Sequence, residues 1–261
     1  MSFGAVAGDY DRLRPAPADA AVNWLLPARC QVAVDLAAGT GTLTRVLARK
    51  VPQVVAVEPD ERMRAVLQAR SPDVRVVEGR GEAIPMPDAS ADAVFVSSAW
   101  HWMDPDLAIP EIGRILRDGG RFGTIRTGRD RQAGWLRELD WMRYGQPDRQ
   151  AGAEPGDQEA AQPHPRSHEI ARSHEVALPG TGLFGQAETE SFGFTRTMTI
   201  DDMVAMLATY SGVITASPED RKARLARARA ALEQRFPGAS EVDVPMRSWC
   251  WRADRAPRAA A

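Results

Sequence analysis

Short apolar runs of strand length alternate along this chain with segments whose apolar residues recur every three or four positions. Val32-Ala33-Val34-Asp35-Leu36 is the first run, and after Ala37-Ala38-Gly39-Thr40-Gly41 the pattern resumes at helical spacing with Leu43, Val46 and Leu47. That is strand, tight turn, helix. Gln53-Val54-Val55-Ala56-Val57-Glu58 predicts a second strand, Val74-Arg75-Val76-Val77-Glu78 a third, and the run from Ser90 to Trp102 contains a fourth. A helix over Leu107 to Leu116 follows, and Arg117-Asp118-Gly119-Gly120 turns the chain into a fifth strand reaching Ile125. Strand and helix patterns alternating over residues 30 to 126 predict a parallel sheet with helices on both faces.

The flanks are less regular. A polar segment over residues 1 to 28 holds Tyr10 and Arg14-Pro15, then a predicted helix from Asp19 to Leu26 that stops at Pro27. Gln132 to Tyr144 reads as a helix with Trp135, Leu139, Trp141 and Met142 as its apolar residues, and Gly145 to Pro165, almost empty of large apolar residues, reads as a surface loop. Phe184 to Phe194 predicts a sixth strand and Val242 to Trp251 a last one; between them Thr199-Ile200-Asp201-Asp202 and Ser217-Pro218-Glu219-Asp220 read as helix caps.

Bulk properties narrow the function classes. With 261 residues and a net charge of −2, nothing global draws the chain to nucleic acid or to an anionic membrane. The arginine-rich stretch from Arg221 to Arg235 has its charges opposite Leu225, Leu232 and Phe236, the pattern of a solvated helix face. Cys30 and Cys250 have no partner spacing, which argues against a zinc site or a disulfide framework and for a reducing, cytoplasmic setting. Residues 1 to 10 lack the basic start and apolar core of a signal peptide, and no apolar run approaches membrane-spanning length.

The chemistry concentrates at the first turn. Small residues at Ala37, Gly39 and Gly41 let backbone approach a ligand closely, and Asp35 and Glu58 close neighbouring strands with carboxylates, which suits a cationic, ribose-bearing ligand. A nicotinamide-dinucleotide fingerprint would need a third glycine where Thr44 stands, and Asp35 would repel a pyrophosphate.

The spacing acid-x-small-x-Gly-x-Gly instead resembles motif I of the class I S-adenosylmethionine-dependent methyltransferases. Gly79-Arg80-Gly81-Glu82-Ala83-Ile84-Pro85 resembles that family's adenine-side loop, and Asp118-Gly119-Gly120 its turn into strand five. Ser97-Ser98-Ala99-Trp100-His101-Trp102 is similar to the corresponding run of the trans-aconitate and ubiquinone or menaquinone biosynthesis small-molecule methyltransferases. It lacks the Asn/Asp-Pro-Pro-aromatic signature of DNA amino-methyltransferases and the acid cluster of magnesium-dependent catechol-type enzymes.

The resemblance implies a Rossmann-like, seven-stranded, mostly parallel α/β sheet with an antiparallel last strand and a helical and loop cap. It implies one domain over 1–261: a lid segment at 1–28, a cofactor-binding core at 29–130, and cap insertions with the last two strands at 131–261. S-adenosylmethionine would be the cofactor, a small molecule the acceptor, and no metal is implied. Asp35, Ala37, Gly39 and Gly41 would line the cofactor's amino acid tail and ribose, and Glu58 would accept from both ribose hydroxyls. Pro59, Met63, Gly81, Glu82 and Ala83 would surround the adenine, Ser98 and Ala99 the cofactor at the end of strand four, and Tyr10 and Arg14 would fold over it. Trp100 and Trp102 would face the acceptor. His101 is either a general base or a residue that orients the loop. Two departures stand out: Ala37 where glycine is usual, and Arg80 where an Asp or Asn would accept from the adenine amine. Non-methylating use of the cofactor, with release of methylthioadenosine, and a non-catalytic binding module are the alternatives.

Overall fold

A computed structural model describes residues 11–130, 132–136, 176, 178, 182–210, 213 and 216–257. Tyr10, the loop from Gly145 to Pro165 and most of the helix expected over Gln132 to Tyr144 lie outside them. The described elements, in chain order, are α1 (Asp19–Leu25), β1 (Val32–Leu36), α2 (Thr42–Ala48), β2 (Gln53–Val57), α3 (Glu61–Arg70), β3 (Arg75–Val77), β4 (Ala91–Ser97), a 3₁₀ turn (Trp100–Trp102), α4 (Pro105–Ile115), β5 (Leu116–Arg129), β6 (Glu188–Met198), α5 (Ile200–Ala208), α6 (Pro218–Arg235) and β7 (Val242–Asp254).

One seven-stranded sheet runs in the order β3-β2-β1-β4-β5-β7-β6. β1 pairs in parallel with β2 (Asp35 opposite Ala56) and with β4 (Asp35 opposite Phe95), whereas β7 lies antiparallel to β5. The order reverses between β1 and β4, the point where an open α/β sheet leaves a crevice outside its strand ends. β1, β2 and β4 are buried along almost their whole length, as a parallel sheet covered on both faces requires. Val34, Val55, Val94 and Val96 join Ile109, Ile112 and Phe122 in one apolar cluster, and Ala33, Phe95 and Ile125 join Val22, Leu25, Leu43 and Leu47 in another.

β6 departs from expectation. It spans Glu188–Met198 rather than Phe184 to Phe194, because Phe184 only forms an isolated bridge with Arg255 while the alternation persists past the last aromatic through Arg196 to the buried Met198. An edge strand tolerates such charges, which made the sequence look as if the strand had ended.

The chain forms two compact units, Met1–Arg129 with Ser173–Arg196 and Pro245–Ala261, and Asp130–Arg172 with Thr197–Val244. In the second, both expected caps form: Thr199 Oγ1 accepts from Asp202 N at 3.0 Å and Ser217 Oγ from Asp220 N at 3.1 Å. Arg229 of α6 reaches Asp201 of α5 at 2.5 Å, and Trp135 meets Phe236 edge-on at 5.1 Å. Among the described residues no helix is long and apolar enough to cross a membrane.

Candidate functional site

Three strand ends converge at the switch point, each tied to its neighbour by backbone. Ala38 N donates to Val57 O at 3.1 Å, Glu58 N to Val77 O at 3.1 Å, and Ser98 N to Ile125 O at 2.8 Å. Between β1 and α2 the turn threads Ala37, Gly39 and Gly41 through the left-handed region, at φ 55°, 59° and 86°. The two glycines serve different ends. A Cβ built at Gly41 would lie 2.8 Å from Leu67 Cγ, so that glycine lets the turn pack on α3; one built at Gly39 meets nothing within 4 Å, which leaves the approach to that backbone free for a ligand. Gly41→Ala is therefore expected to lower unfolding stability by about 2 kcal/mol or more, and Gly39→Ala by about 1 kcal/mol, in urea melts. Gly39→Ala should nonetheless lose ligand affinity. Equal stability losses would contradict the assignment.

The two expected acids flank this turn, Asp35 in β1 and Glu58 just after β2. Glu58 is buried; its Oε2 accepts from Gly39 N at 2.8 Å and its Oε1 from Asp60 N at 2.9 Å. Burial raises its titration, and the two N–H bonds hold it down. Each carboxylate oxygen can accept a second bond, so capacity for two hydroxyls is retained.

Asp35 is fully buried, with Oδ2 accepting from the Thr44 hydroxyl at 2.5 Å and Oδ1 lacking any partner. Desolvation, with some repulsion from Glu58 against the help of Thr44 and Arg45, pushes its carboxyl from 3.8 up to about 7. Asp35 thus steadies the first turn of α2 through Thr44 and keeps one buried carboxylate oxygen without a partner. An orphaned buried oxygen beside a second acid fits an ammonium-bearing, sulfonium-bearing cofactor and would repel an anionic one.

A carboxyl that titrates higher folded than unfolded lowers stability as pH rises from 3.8 to about 7, so the ligand-free chain is expected to be more stable near pH 5 than near pH 7.5 in denaturant titrations. An ammonium partner would need the charged form. Affinity for S-adenosylhomocysteine should weaken by about tenfold per pH unit well below the Asp35 titration, with a proton released on binding, and a pH-independent affinity would remove the ammonium role.

The loop expected to face the adenine is held by a clamp that sequence reasoning missed. Arg114 donates to Ile84 O at 2.9 Å, Met86 O at 2.8 Å and Asp88 at 2.7 Å, and binds Glu111, whose Oε2 accepts from Ile84 N at 2.9 Å. Gly81 is buried, and a Cβ there would lie 2.7 Å from Met103 Sδ; Ala83 N closes the loop on Arg80 O at 3.2 Å. Glu82 Oε1 accepts from Asp104 N at 3.0 Å, tying the loop to the start of α4. Arg64, also missed, donates to the carbonyls of Glu58 and Pro59 at 2.8 and 2.7 Å and to Glu78 at 2.9 Å, joining the ends of β2 and β3. Met63 is buried and Pro59 exposed.

The run after β4 divides. Ser98 is exposed with φ 55°, and Ala99 starts the 3₁₀ turn by accepting from Trp102 N at 3.0 Å. Trp100 is 7% exposed and packs on Phe122 at 5.4 Å. The acceptor-facing role expected of Trp100 is corrected here, since the turn carries its ring into the core. Trp102, at 66% exposure, and the exposed His101 remain at the surface with ring centroids 4.8 Å apart. Desolvation by neighbouring protein lowers the His101 imidazole below its ordinary value and keeps it neutral near pH 7. Arg14 lines a cavity of about 720 Å³ with Thr42 and Arg45 of α2. Tyr10 lies outside the described residues.

The sheet order, the glycine turn on β1 and the paired strand-end acids are the arrangement that the resemblance to class I S-adenosylmethionine-dependent methyltransferases implies. A family model described as a methyltransferase domain matches residues 34–124. The chain is 48% identical over 139 residues to an uncharacterized methyltransferase of Mycobacterium tuberculosis, covering 53% of this chain and 57% of that protein. It is 34% identical over 145 residues to the ubiquinone/menaquinone biosynthesis C-methyltransferase of Rubrivivax gelatinosus, covering 52% of this chain and 57% of that one. The chain thus spans about half the length of the curated relatives it matches. A solved structure described as a candidate type II methyltransferase of Anaeromyxobacter dehalogenans superposes with a TM-score of 0.70 at 24% identity, over 94% of this chain and 99% of that one, and it shares the fold.

Proposed function

We propose that this chain transfers a methyl group from S-adenosylmethionine to a small-molecule acceptor, with S-adenosylhomocysteine as product. The observation that carries this reading is the Glu58 carboxylate bonded to Gly39 N, which joins the ribose acceptor to the turn that would cradle the amino acid tail. Asp35, through its unsatisfied Oδ1, would take the ammonium, with Ala37 and Gly41 shaping the turn around it. Gly81, Glu82 and Ala83, fixed from behind by Arg114, would present the adenine edge, with Pro59 and Met63 beside it. Ser98 and Ala99 would border the cofactor at the end of β4, and Arg14 and Tyr10 would cover it.

The bound sulfonium supplies an electrophilic methyl carbon; the protein supplies alignment, exclusion of water and a destination for a proton. His101, neutral near pH 7, would take the proton lost by the acceptor atom as the new bond to carbon forms, and Trp102 would pack on the acceptor. The family match covers residues 34–124, which include His101 and Trp102, so any further contacts that choose the acceptor fall to other parts of the chain. One domain over 1–261 with a cap at 131–261, no nucleic acid or membrane partner, and a cytoplasmic setting belong to the same proposal, the last supported by the free thiols of Cys30 and Cys250.

Mass spectrometry of purified protein incubated with the cofactor and a cell metabolite extract tests this. The expected products are S-adenosylhomocysteine and an acceptor heavier by one methyl. Enzyme-dependent methylthioadenosine without added acceptor would overturn methyl transfer, and no consumption with any extract would favour a binding module.

A further inference from the structure

The cofactor turn has little regular structure to hold it. Thr40 lies between two left-handed glycines, its hydroxyl is buried without a partner, and its carbonyl accepts from a side chain. That side chain is Arg45, whose Nη1 donates to Thr40 O at 2.8 Å while its Nη2 donates to Asp11 Oδ1 at 2.7 Å. The Arg45 backbone N also donates to Gly41 O at 3.0 Å. One residue therefore fixes two successive carbonyls of the turn. A Cβ at Gly41 would come within 3.5 Å of Arg45 Nη1, which places the guanidinium directly against the turn.

Asp11 is not an ordinary surface acid. Its side chain is 9% exposed against 29% for Arg45, and Arg70 of α3 approaches its second oxygen at 3.7 Å. The short helical turn that follows is anchored independently, with Leu13 buried and its carbonyl accepting from Arg196 of β6 at 2.7 Å. A pair this sheltered is only weakly screened, and the two arms of one planar guanidinium let arginine reach a carbonyl and a carboxylate that are set apart, whereas lysine would need both within reach of its single nitrogen.

We propose that Arg45 is a positioning residue for the cofactor turn and that Asp11 latches it, so that cofactor affinity depends on the docking of the segment around residue 11. The inference rests on the cofactor reading given above. By holding the peptide between Thr40 and Gly41 in one orientation, Arg45 keeps Gly39 N on Glu58 and the start of α2 turned toward the crevice. Arg45 also favours the charged form of Asp35, the group expected to meet the ammonium; the other charge bearing on Asp35 is Glu58, which opposes it.

Calorimetric titration of S-adenosylhomocysteine into the full chain tests this with Arg45→Met, Arg45→Lys, Asp11→Asn and the double variant Arg45→Met/Asp11→Asn. Arg49→Met serves as the control, since Arg49 meets the exposed Asp19 at 3.9 Å and touches Arg45 only at its backbone carbonyl, at 3.1 Å. Arg45→Met and Asp11→Asn should each weaken binding by about tenfold or more, and the double variant no more than the worse single, because both break one chain of contacts. Arg45→Lys should recover only part of the loss, Arg49→Met should bind as wild type, and in Arg45→Met the pH below which binding fades should rise. Asp11→Asn, nearly isosteric, keeps the test sound if Arg45→Met folds poorly. Wild-type affinity in both single variants, additive losses, or full rescue by lysine would overturn the latch. Failure of the wild-type chain to take up S-adenosylhomocysteine would instead overturn the cofactor reading itself.

Discussion

Glu58→Ala is expected to weaken S-adenosylhomocysteine binding by about 2 to 4 kcal/mol, through loss of two ribose hydrogen bonds to a charged acceptor. The geometry adds a second contribution, because the same carboxylate holds Gly39 N and Asp60 N, and both donors would lose their partner. The chain should still fold, since β2 is buried through its own apolar residues, but with a lower melting temperature than a plain surface acid would give. Glu58→Gln separates the two effects. It keeps one acceptor oxygen, so binding should recover partly. Calorimetry giving Glu58→Ala an unchanged affinity would sink the ribose assignment.

His101→Ala is expected to lower turnover by about a hundredfold while leaving cofactor affinity nearly unchanged, once an acceptor is in hand. His101 is exposed and its ring meets that of Trp102 at the surface, so its loss should cost little stability. The low imidazole titration places the falling acid limb of the turnover profile below the ordinary histidine value, and His101→Ala should flatten that limb. Loss of cofactor binding in the variant would mean that the Trp-His-Trp run shapes the pocket. Little change in either quantity would retire the catalytic role.

The strand-turn-helix at Asp35 to Leu47 was legible because everything that specifies it is local: β-branched residues, two glycines, then helical spacing. Glu58 was legible for the same reason, as the polar residue ending an apolar run. The caps Thr199 and Ser217 also formed where their side chains announced them. What escaped the reading was long-range. Arg45, Arg64 and Arg114 look like solvated helix positions, and their roles depend on carbonyls brought beside them by the sheet. Trp100 was misplaced because one 3₁₀ turn, invisible to period counting, sends it inward and leaves Trp102 outside. Glu82 read as a ligand contact, yet one of its oxygens serves Asp104 N.

Ala37 and Ser98, both at φ 55°, close β1 and β4 on the two sides of the switch point, where glycine would have entered the left-handed region without strain. A glycine there would sample many conformations before a ligand arrived and lose them on binding, whereas a side chain already confined to one basin has less freedom left to surrender. Backbone strain of about 1 kcal/mol per residue at these positions is thus exchanged for a crevice that is stiff in advance, and the departure from glycine at Ala37 becomes a means of pre-organisation.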